Sequence, residues 1–290
     1  MSVSRLPYVV CLIATMGFVA AGCGDDEEAS DSGEESASVL PEDCTADQLE
    51  TLEPDTLTIA TDDPAFPPYF EDDDPTNGRG FESAVAFAIA DELGFSEDQV
   101  NWVVQPFNSS YAPGPKEFDF DINQISITDK RAEAVDFSSP YYEAKQAVVA
   151  LKDSPAAEAA TLADVADADI GVQIGTTSLD AVNTTIQPSS DAQVFDTSND
   201  VVSALKNEQV DAVVVDVPTA FFLTAVQIPE AGTVGQFPAP GGDEWGALME
   251  KGSPITPCVS AAVEELDSSG ELAAIEKRWL SDVTNAPVLE

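Results

Sequence analysis

Leu57-Thr58-Ile59-Ala60-Thr61 opens the part of the chain whose pattern decides the fold. This β-branched, apolar run is followed by an amphipathic segment over residues 84–93 and by a second short run, Val100-Asn101-Trp102-Val103-Val104. Strand, helix, strand is the order of a parallel α/β unit. The pattern continues, with further strands expected over residues 119–123, 146–151, 170–174, 193–195, 212–215 and 246–249. Helices are expected over 179–186, 201–207, 218–225, 257–266 and 271–280. Ile170-Gly171-Val172 and Ala212-Val213-Val214-Val215 are apolar without alternation, as strands are when helices cover both their faces. The expectation is an α/β protein.

Composition narrows the chemistry. The 290 residues include 54 Asp plus Glu, 11 Lys plus Arg and no His, for a net charge of −43. Without imidazole, Ser-His-Asp and Cys-His catalysis and His-based metal centres are excluded. A nucleic-acid partner is excluded too, because Lys and Arg must neutralise phosphates and this chain would repel them. Residues 24–53 carry 12 acidic and no basic residues, yet residues 54–290 still hold 42 acidic against 10 basic, so the folded part is acidic as well. Such a surface favours solubility rather than specifying a fold. No phosphate-binding loop, dinucleotide fingerprint or zinc motif occurs, and Asp72-Asp73-Asp74 with Gly78 misses the calcium-loop spacing. No cofactor and no metal are expected.

The first residues are an address. Arg5 precedes an apolar run over 6–21, which ends in Ala20-Ala21-Gly22-Cys23. That is a secretory signal, and its end resembles the lipobox of bacterial lipoproteins, in which Cys23 is the lipidation site and anchors the protein to the membrane. The boundaries expected here are a signal peptide over 1–22 and an acidic tether over 23–53. With Cys11 removed in the signal and Cys23 lipidated, Cys44 and Cys258 remain in an oxidising compartment and are expected to pair, two free thiols being the alternative.

Four segments together resemble the polar-amino-acid solute-binding proteins of bacterial ABC importers. They are Ile125-Ser126-Ile127-Thr128-Asp129-Lys130-Arg131, continuing to Tyr142; Gly175-Thr176-Thr177-Ser178; Val210-Asp211-Ala212 through Asp216; and Gly270-Glu271-Leu272 with Lys277-Arg278-Trp279-Leu280. The resemblance covers residues 57–280 and implies a two-lobe, periplasmic-binding-protein-like fold with two hinge crossings, near 144–149 and 236–240, and with the first part of lobe 1 over 54–145, lobe 2 over 146–238 and the return to lobe 1 over 239–285. The ligand lies between the lobes. Physical chemistry agrees: a free amino acid needs a cation for its carboxylate, an anion for its ammonium, and enclosure that keeps water from screening both.

The roles implied are as follows. Arg131 grips the carboxylate through its guanidinium fork, with Ser126 beside it. Thr177, at the start of a helix together with Thr176, supplies a second hold, and Asp216, at a strand end, takes the ammonium. Asp63, Phe66 and Phe107 belong to the walls, where the rings favour a cationic side chain. Glu82 either reaches that side chain or merely favours its own helix dipole. Gln124 stands where relatives carry a small residue, and Ala112-Pro113-Gly114-Pro115-Lys116 replaces a helix. The partners implied are a polar, cationic or neutral amino acid and an ABC permease, the receptor acting as an exported monomer in the cell envelope. The alternative is a cyclohexadienyl (prephenate or arogenate) dehydratase on the same fold, with Glu82 as the candidate acid.

Overall fold

The computed structural model describes residues 40–41, 43–280 and 286–290. The expected signal peptide, Cys23 and most of the tether lie outside the described residues. Along the chain come β1 (Leu57–Thr61), α1 (Phe81–Glu92), β2 (Val100–Val104), α2 (Phe107–Ser110), β3 (Phe120–Asp121), α3 (Asp129–Ala132), β4 (Val135–Phe137) and β5 (Tyr142–Glu143). Then follow β6 (Gln146–Leu151), α4 (Leu162–Val165), β7 (Ile170–Gln173), α5 (Thr177–Ala181), β8 (Gln193–Phe195), α6 (Ser198–Lys206), β9 (Ala212–Asp216), α7 (Val217–Phe222) and β10 (Ala231–Phe237). The chain returns through β11 (Glu244–Trp245), β12 (Leu248–Glu250), α8 (Thr256–Ser268) and α9 (Glu271–Leu280). The expected helices over 179–186 and 218–225 are each split, a short α-helix running on into a π-helical turn.

Two five-stranded sheets form the two lobes. Lobe 1 has the order β2-β1-β3-β12-β4, with β2, β1 and β3 parallel and β12 antiparallel to its neighbours. Lobe 2 has the order β10-β6-β9-β7-β8, parallel from β9 to β8 and antiparallel from β10 to β9. The unbroken apolar strands have the cause the sequence suggests. In β9, Val213 faces a core with Val149, Val201 and Leu205, while Ala212 and Val214 face another with Val148, Ile170 and Phe237. In lobe 1, Leu57 and Ile59 of β1 pack with Val85 and Ile89 of α1 and Val259 and Val263 of α8.

The lobes are joined where β5 leads into β6 and where β10 leads into β11. A two-stranded ribbon of β5 with β11 holds these crossings side by side. Fully buried Trp245 of β11 anchors the ribbon, its ring 4.8 Å from that of Tyr142 and 5.7 Å from that of Tyr69. The first crossing lies before residue 146 rather than along 144–149, because Gln146–Leu151 is already a strand of lobe 2.

Both ends of the folded part depart from the expected boundaries. Residues 43–53 belong to the fold rather than to a tether: Cys44 is bonded to Cys258 on α8, Leu49 packs on the lobe 1 core, and Leu52 N–H donates to Asp119 Oδ1 at 2.7 Å. Acidic composition hid the few apolar anchors there. At the other end, residues 286–290 return to lobe 2. Gln236 N–H donates to Pro287 O at 2.6 Å, and Leu289 N–H donates to Gln236 O at 2.9 Å. Leu289 is buried against the core that holds Phe237. Gly235 makes room for it, since a Cβ there would stand 2.6 Å from Leu289.

Candidate functional site

The strand ends of both sheets face one cleft, which encloses about 1080 Å³ including its open mouth. Of the residues singled out by sequence, Phe66, Phe107, Gln124, Ser126, Arg131, Thr176, Thr177 and Asp216 line it. Arg131, Asp216 and Asp62 are its charged residues.

Arg131 lies on α3, a short helix capped by Thr128, whose hydroxyl accepts from Arg131 N–H. Only 7% exposed, its guanidinium donates through Nη1 to Ser126 O (2.7 Å) in lobe 1 and through Nη2 to Gly175 O (2.9 Å) in lobe 2. The cation sits 4.6 Å from the Tyr111 ring and 5.5 Å from the Phe107 ring. Burial lowers its pKa, and nearby Tyr111 and Asp243 act against that shift. Gly175 is required where it stands: its φ is 75°, and a Cβ would lie 2.3 Å from the Tyr111 hydroxyl.

Three more contacts join the lobes. Ser126 Oγ and Thr177 Oγ1 are 3.2 Å apart, Tyr69 Oη and Thr219 Oγ1 are 2.9 Å apart, and Asn108 Nδ2 donates to Asp196 O at 3.1 Å. Thr176 is the N-cap of α5, its hydroxyl accepting from Leu179 N–H, so the neighbouring Thr177 keeps its own hydroxyl for the cleft.

Asp216 ends β9 and stands before α7, yet its side chain makes no capping bond. Its Oδ1 instead accepts from Gln146 Nε2 at 2.7 Å, and the same nitrogen donates to Asp243 Oδ2 at 2.6 Å. Burial first, and Asp243 second, push the Asp216 carboxyl well above its ordinary range.

Two expectations are corrected. Asp63 is exposed and does not line the cleft; Asp62 does. β1 ends at Thr61, so the next residue continues over the sheet edge, where Asp62 Oδ2 accepts from Phe107 N–H at 3.2 Å. Burial raises the Asp62 pKa, against the pull of its backbone hydrogen bonds. Glu82 is wholly buried behind the wall. Its carboxylate accepts from Gln124 N–H (2.6 Å), Gln124 Nε2 and the Tyr141 hydroxyl (2.5 Å). Burial lifts its pKa to about 7. Gln124 has φ 48°, a left-handed conformation that residues other than Gly seldom adopt.

Sequence reasoning missed Asp62, Tyr69, Tyr111, Asn123, Gln146, Thr219 and Asp243. Asp62 was legible as the residue directly after β1. Gln146 and Asp243 carry no local signal beyond lying near the crossings.

A two-lobe α/β fold whose sheet edges enclose a cleft with opposed charges defines a ligand-binding clamp. The chain belongs to the bacterial extracellular solute-binding proteins, family 3, which it matches over residues 57–282. That family is extracellular, so the protein is exported. No helix among the described residues is long and apolar enough to cross a membrane. It is similar to the arginine-binding extracellular protein ArtP of Bacillus subtilis, 26% identical over 224 residues, covering 73% of this chain and 82% of that protein. It is also similar to the structure of an ancestral arginine-binding protein bound to arginine, with 31% identity, a TM-score of 0.63, and coverage of 78% of this chain and 98% of that one. An ancestral amino acid-binding protein described as a precursor of cyclohexadienyl dehydratase aligns with 26% identity and a TM-score of 0.62, over 77% of this chain and 94% of that one.

Proposed function

We propose that this protein captures a free polar amino acid between its lobes and delivers it to an ABC importer permease. One observation carries the reading: Arg131 from lobe 1 and Asp216 from lobe 2 face the same partly enclosed cleft. Arg131 holds the ligand carboxylate with Ser126 and Thr177, and Asp216 takes the ammonium. A cationic side chain suits the walls, where Asp62 adds a carboxylate beside the rings of Phe66 and Phe107. A ligand that touches both lobes binds the closed form best and shifts the population towards it, giving the permease a shape to recognise. The receptor acts as a monomer held at the membrane by lipid on Cys23, with the acidic segment after it as a leash.

The dehydratase alternative takes a buried Glu with a raised pKa, such as Glu82, as its acid, and Glu82 is buried with its pKa lifted to about 7. Glu82 is outside the lining and already bonded to Gln124 and Tyr141, which favours the receptor over the enzyme. Calorimetric titration of the full-length protein with the twenty amino acids, and with prephenate as a turnover control, tests the proposal. Binding of one or a few polar amino acids, lost in Arg131→Ala and Asp216→Ala variants that still fold, is the expected result. Prephenate turnover, or undiminished affinity in either variant, would overturn it.

A further inference from the structure

Asp243 belongs to the second crossing, between β10 and β11, and is 1% exposed. Its Oδ2 accepts from Gln146 Nε2 at 2.6 Å and from Thr177 Oγ1 at 3.1 Å. The other hydrogen of Gln146 Nε2 goes to Asp216 Oδ1, and Gln146 Oε1 accepts from Ser178 Oγ at 2.6 Å, which fixes the end of the amide that faces the acids. With Ser126 in contact with Thr177, one hydrogen-bonded chain runs from lobe 1 through lobe 2 and the second crossing to Asp216. Asp243 Oδ1 is buried and has no hydrogen-bond partner among the described residues.

Counting charges shows a surplus. On the function proposed above, on which this inference rests, the ligand carboxylate meets Arg131 and its ammonium meets Asp216, and those four charges cancel. Asp243 is a fifth, buried and without a cation of its own. Arg131 directs its fork at Ser126 O and Gly175 O. Lys145 and Glu143 on the first crossing, Glu244 beside Asp243 and Asp180 on α5 are exposed, where water screens them. Glu82 and Tyr69 are buried nearby and add no positive charge. A carboxylate entering beside Thr177 and Ser126 also competes with Asp243 for the Thr177 hydroxyl. Two anions then share one donor at low dielectric, a costly arrangement.

We propose that Asp243 is a positioning residue that holds Gln146, Asp216 and Thr177 in the closed cleft and takes up a proton from solvent, on its bare Oδ1, when the amino acid enters. Oδ2 continues to accept from Gln146, so the network keeps its geometry while losing the surplus charge. Burial favours the neutral form, with the hydrogen bonds from Ser126, Gln146 and Thr177 opposing it.

The test is calorimetry of the full-length protein with L-arginine near neutral pH, in two buffers of different ionisation heat. The wild type is expected to take up close to one proton more per ligand than Asp243→Asn, in which Asp216, itself pushed up by burial, can only release one, and Glu82→Gln as much as the wild type. Asp243→Asn mimics the neutral form and is expected to bind at least as tightly. Equal uptake in wild type and Asp243→Asn overturns the proposal, and so does net proton release by the wild type, which decides it even if the variant fails to fold. A ligand-free arm separates this inference from the receptor reading. If the ionised carboxylate is penalised, the thermal midpoint of the wild type falls relative to Asp243→Asn as pH rises from acidic to neutral. Parallel curves would overturn the proton's place on Asp243 even if no amino acid bound either form, an outcome that would by itself sink only the receptor reading.

Discussion

Replacing Arg131 by Ala tests the site at the group that both lobes share. In the closed cleft its two bonds run to Ser126 O at 2.7 Å and Gly175 O at 2.9 Å, and its plane lies over Tyr111 at 4.6 Å. A bound carboxylate takes the same fork through two charge-assisted bonds, each contributing about 1.5–3 kcal/mol. Losing both costs about 3–6 kcal/mol, which weakens the dissociation constant by about 10²–10⁴-fold. The ligand-free fold loses far less. The carbonyls of Ser126 and Gly175 lose a donor, but a desolvated cation is removed as well, so the net change is on the order of 1 kcal/mol, or about 2–4 °C in melting temperature for a domain of this size. Arg131→Lys keeps the charge without the fork and falls between the two. Isothermal titration supplies the affinities and thermal unfolding the stability. An Arg131→Ala protein that melts within a few degrees of wild type and binds within about threefold of its affinity would refute the reasoning.

Three further outcomes follow from particular contacts. Burial holds the Glu82 carboxyl at about 7 against an ordinary 4.5, so its ionised form is the penalised one. The stability it confers is complete below the unfolded value and is lost as pH rises through about 7, on the order of 3 kcal/mol in all; urea midpoints of the wild type should drop more steeply across that window than those of Glu82→Gln, which keeps the other buried carboxyls. Cys44 and Cys258 are 214 residues apart in sequence, so replacing both by Ser removes a loop constraint that stabilises by up to about 5 kcal/mol; an unchanged chemical midpoint would show that the bridge does not constrain the unfolded chain. Gly175→Ala places a methyl 2.3 Å from the Tyr111 hydroxyl at a φ of 75°, so closure is obstructed and ligand affinity falls by about tenfold or more while each lobe stays folded; equal affinity would mean that Tyr111 moves aside freely.

How much of this was legible depended on whether a residue's environment is set locally. The run over 212–215 announced a strand buried on both faces, and it is one. Ser126, Arg131, Thr177 and Asp216 were marked by the family resemblance of the segments that hold them, and all four line the cleft. β1 ends at Thr61, where its pattern ends, so Asp62 rather than Asp63 was legible as the residue carried over the sheet edge into the cleft. Glu82 illustrates another limit. A Glu in the first turn of a helix looks the same in sequence whether it faces a cleft or a wall, and only the left-handed turn at Gln124 directs that residue's amide back onto it. Tyr111, next to a proline-rich stretch that read as irregular, meets Arg131 because α2 ends there. Asp243 and Gln146 lie 97 residues apart and meet only because β5 and β11 pair.

The closed cleft also shows what a ligand must displace. Arg131 is bonded to two carbonyls, Ser126 contacts Thr177, Thr177 bonds Asp243, and Asp216 is bonded to Gln146. Each group proposed to hold the amino acid therefore already has an internal partner, and binding exchanges one set of polar contacts for another. Gross contact strength cancels in such an exchange, and affinity reflects the difference. The internal partners also keep the charged groups from standing bare in a dry cleft when no ligand is present. Closure without cargo is then accessible, and what separates the loaded from the empty closed form is the set of contacts the internal partners cannot reproduce. On the proposed function those contacts lie in the wall of Asp62, Phe66 and Phe107, and at the buried Thr61 hydroxyl and Asn123 amide nitrogen, which have no partner among the described residues. A side chain that satisfies these groups gains free energy no rival can match by its α-carboxylate and ammonium alone, so the discrimination between amino acids falls to this wall.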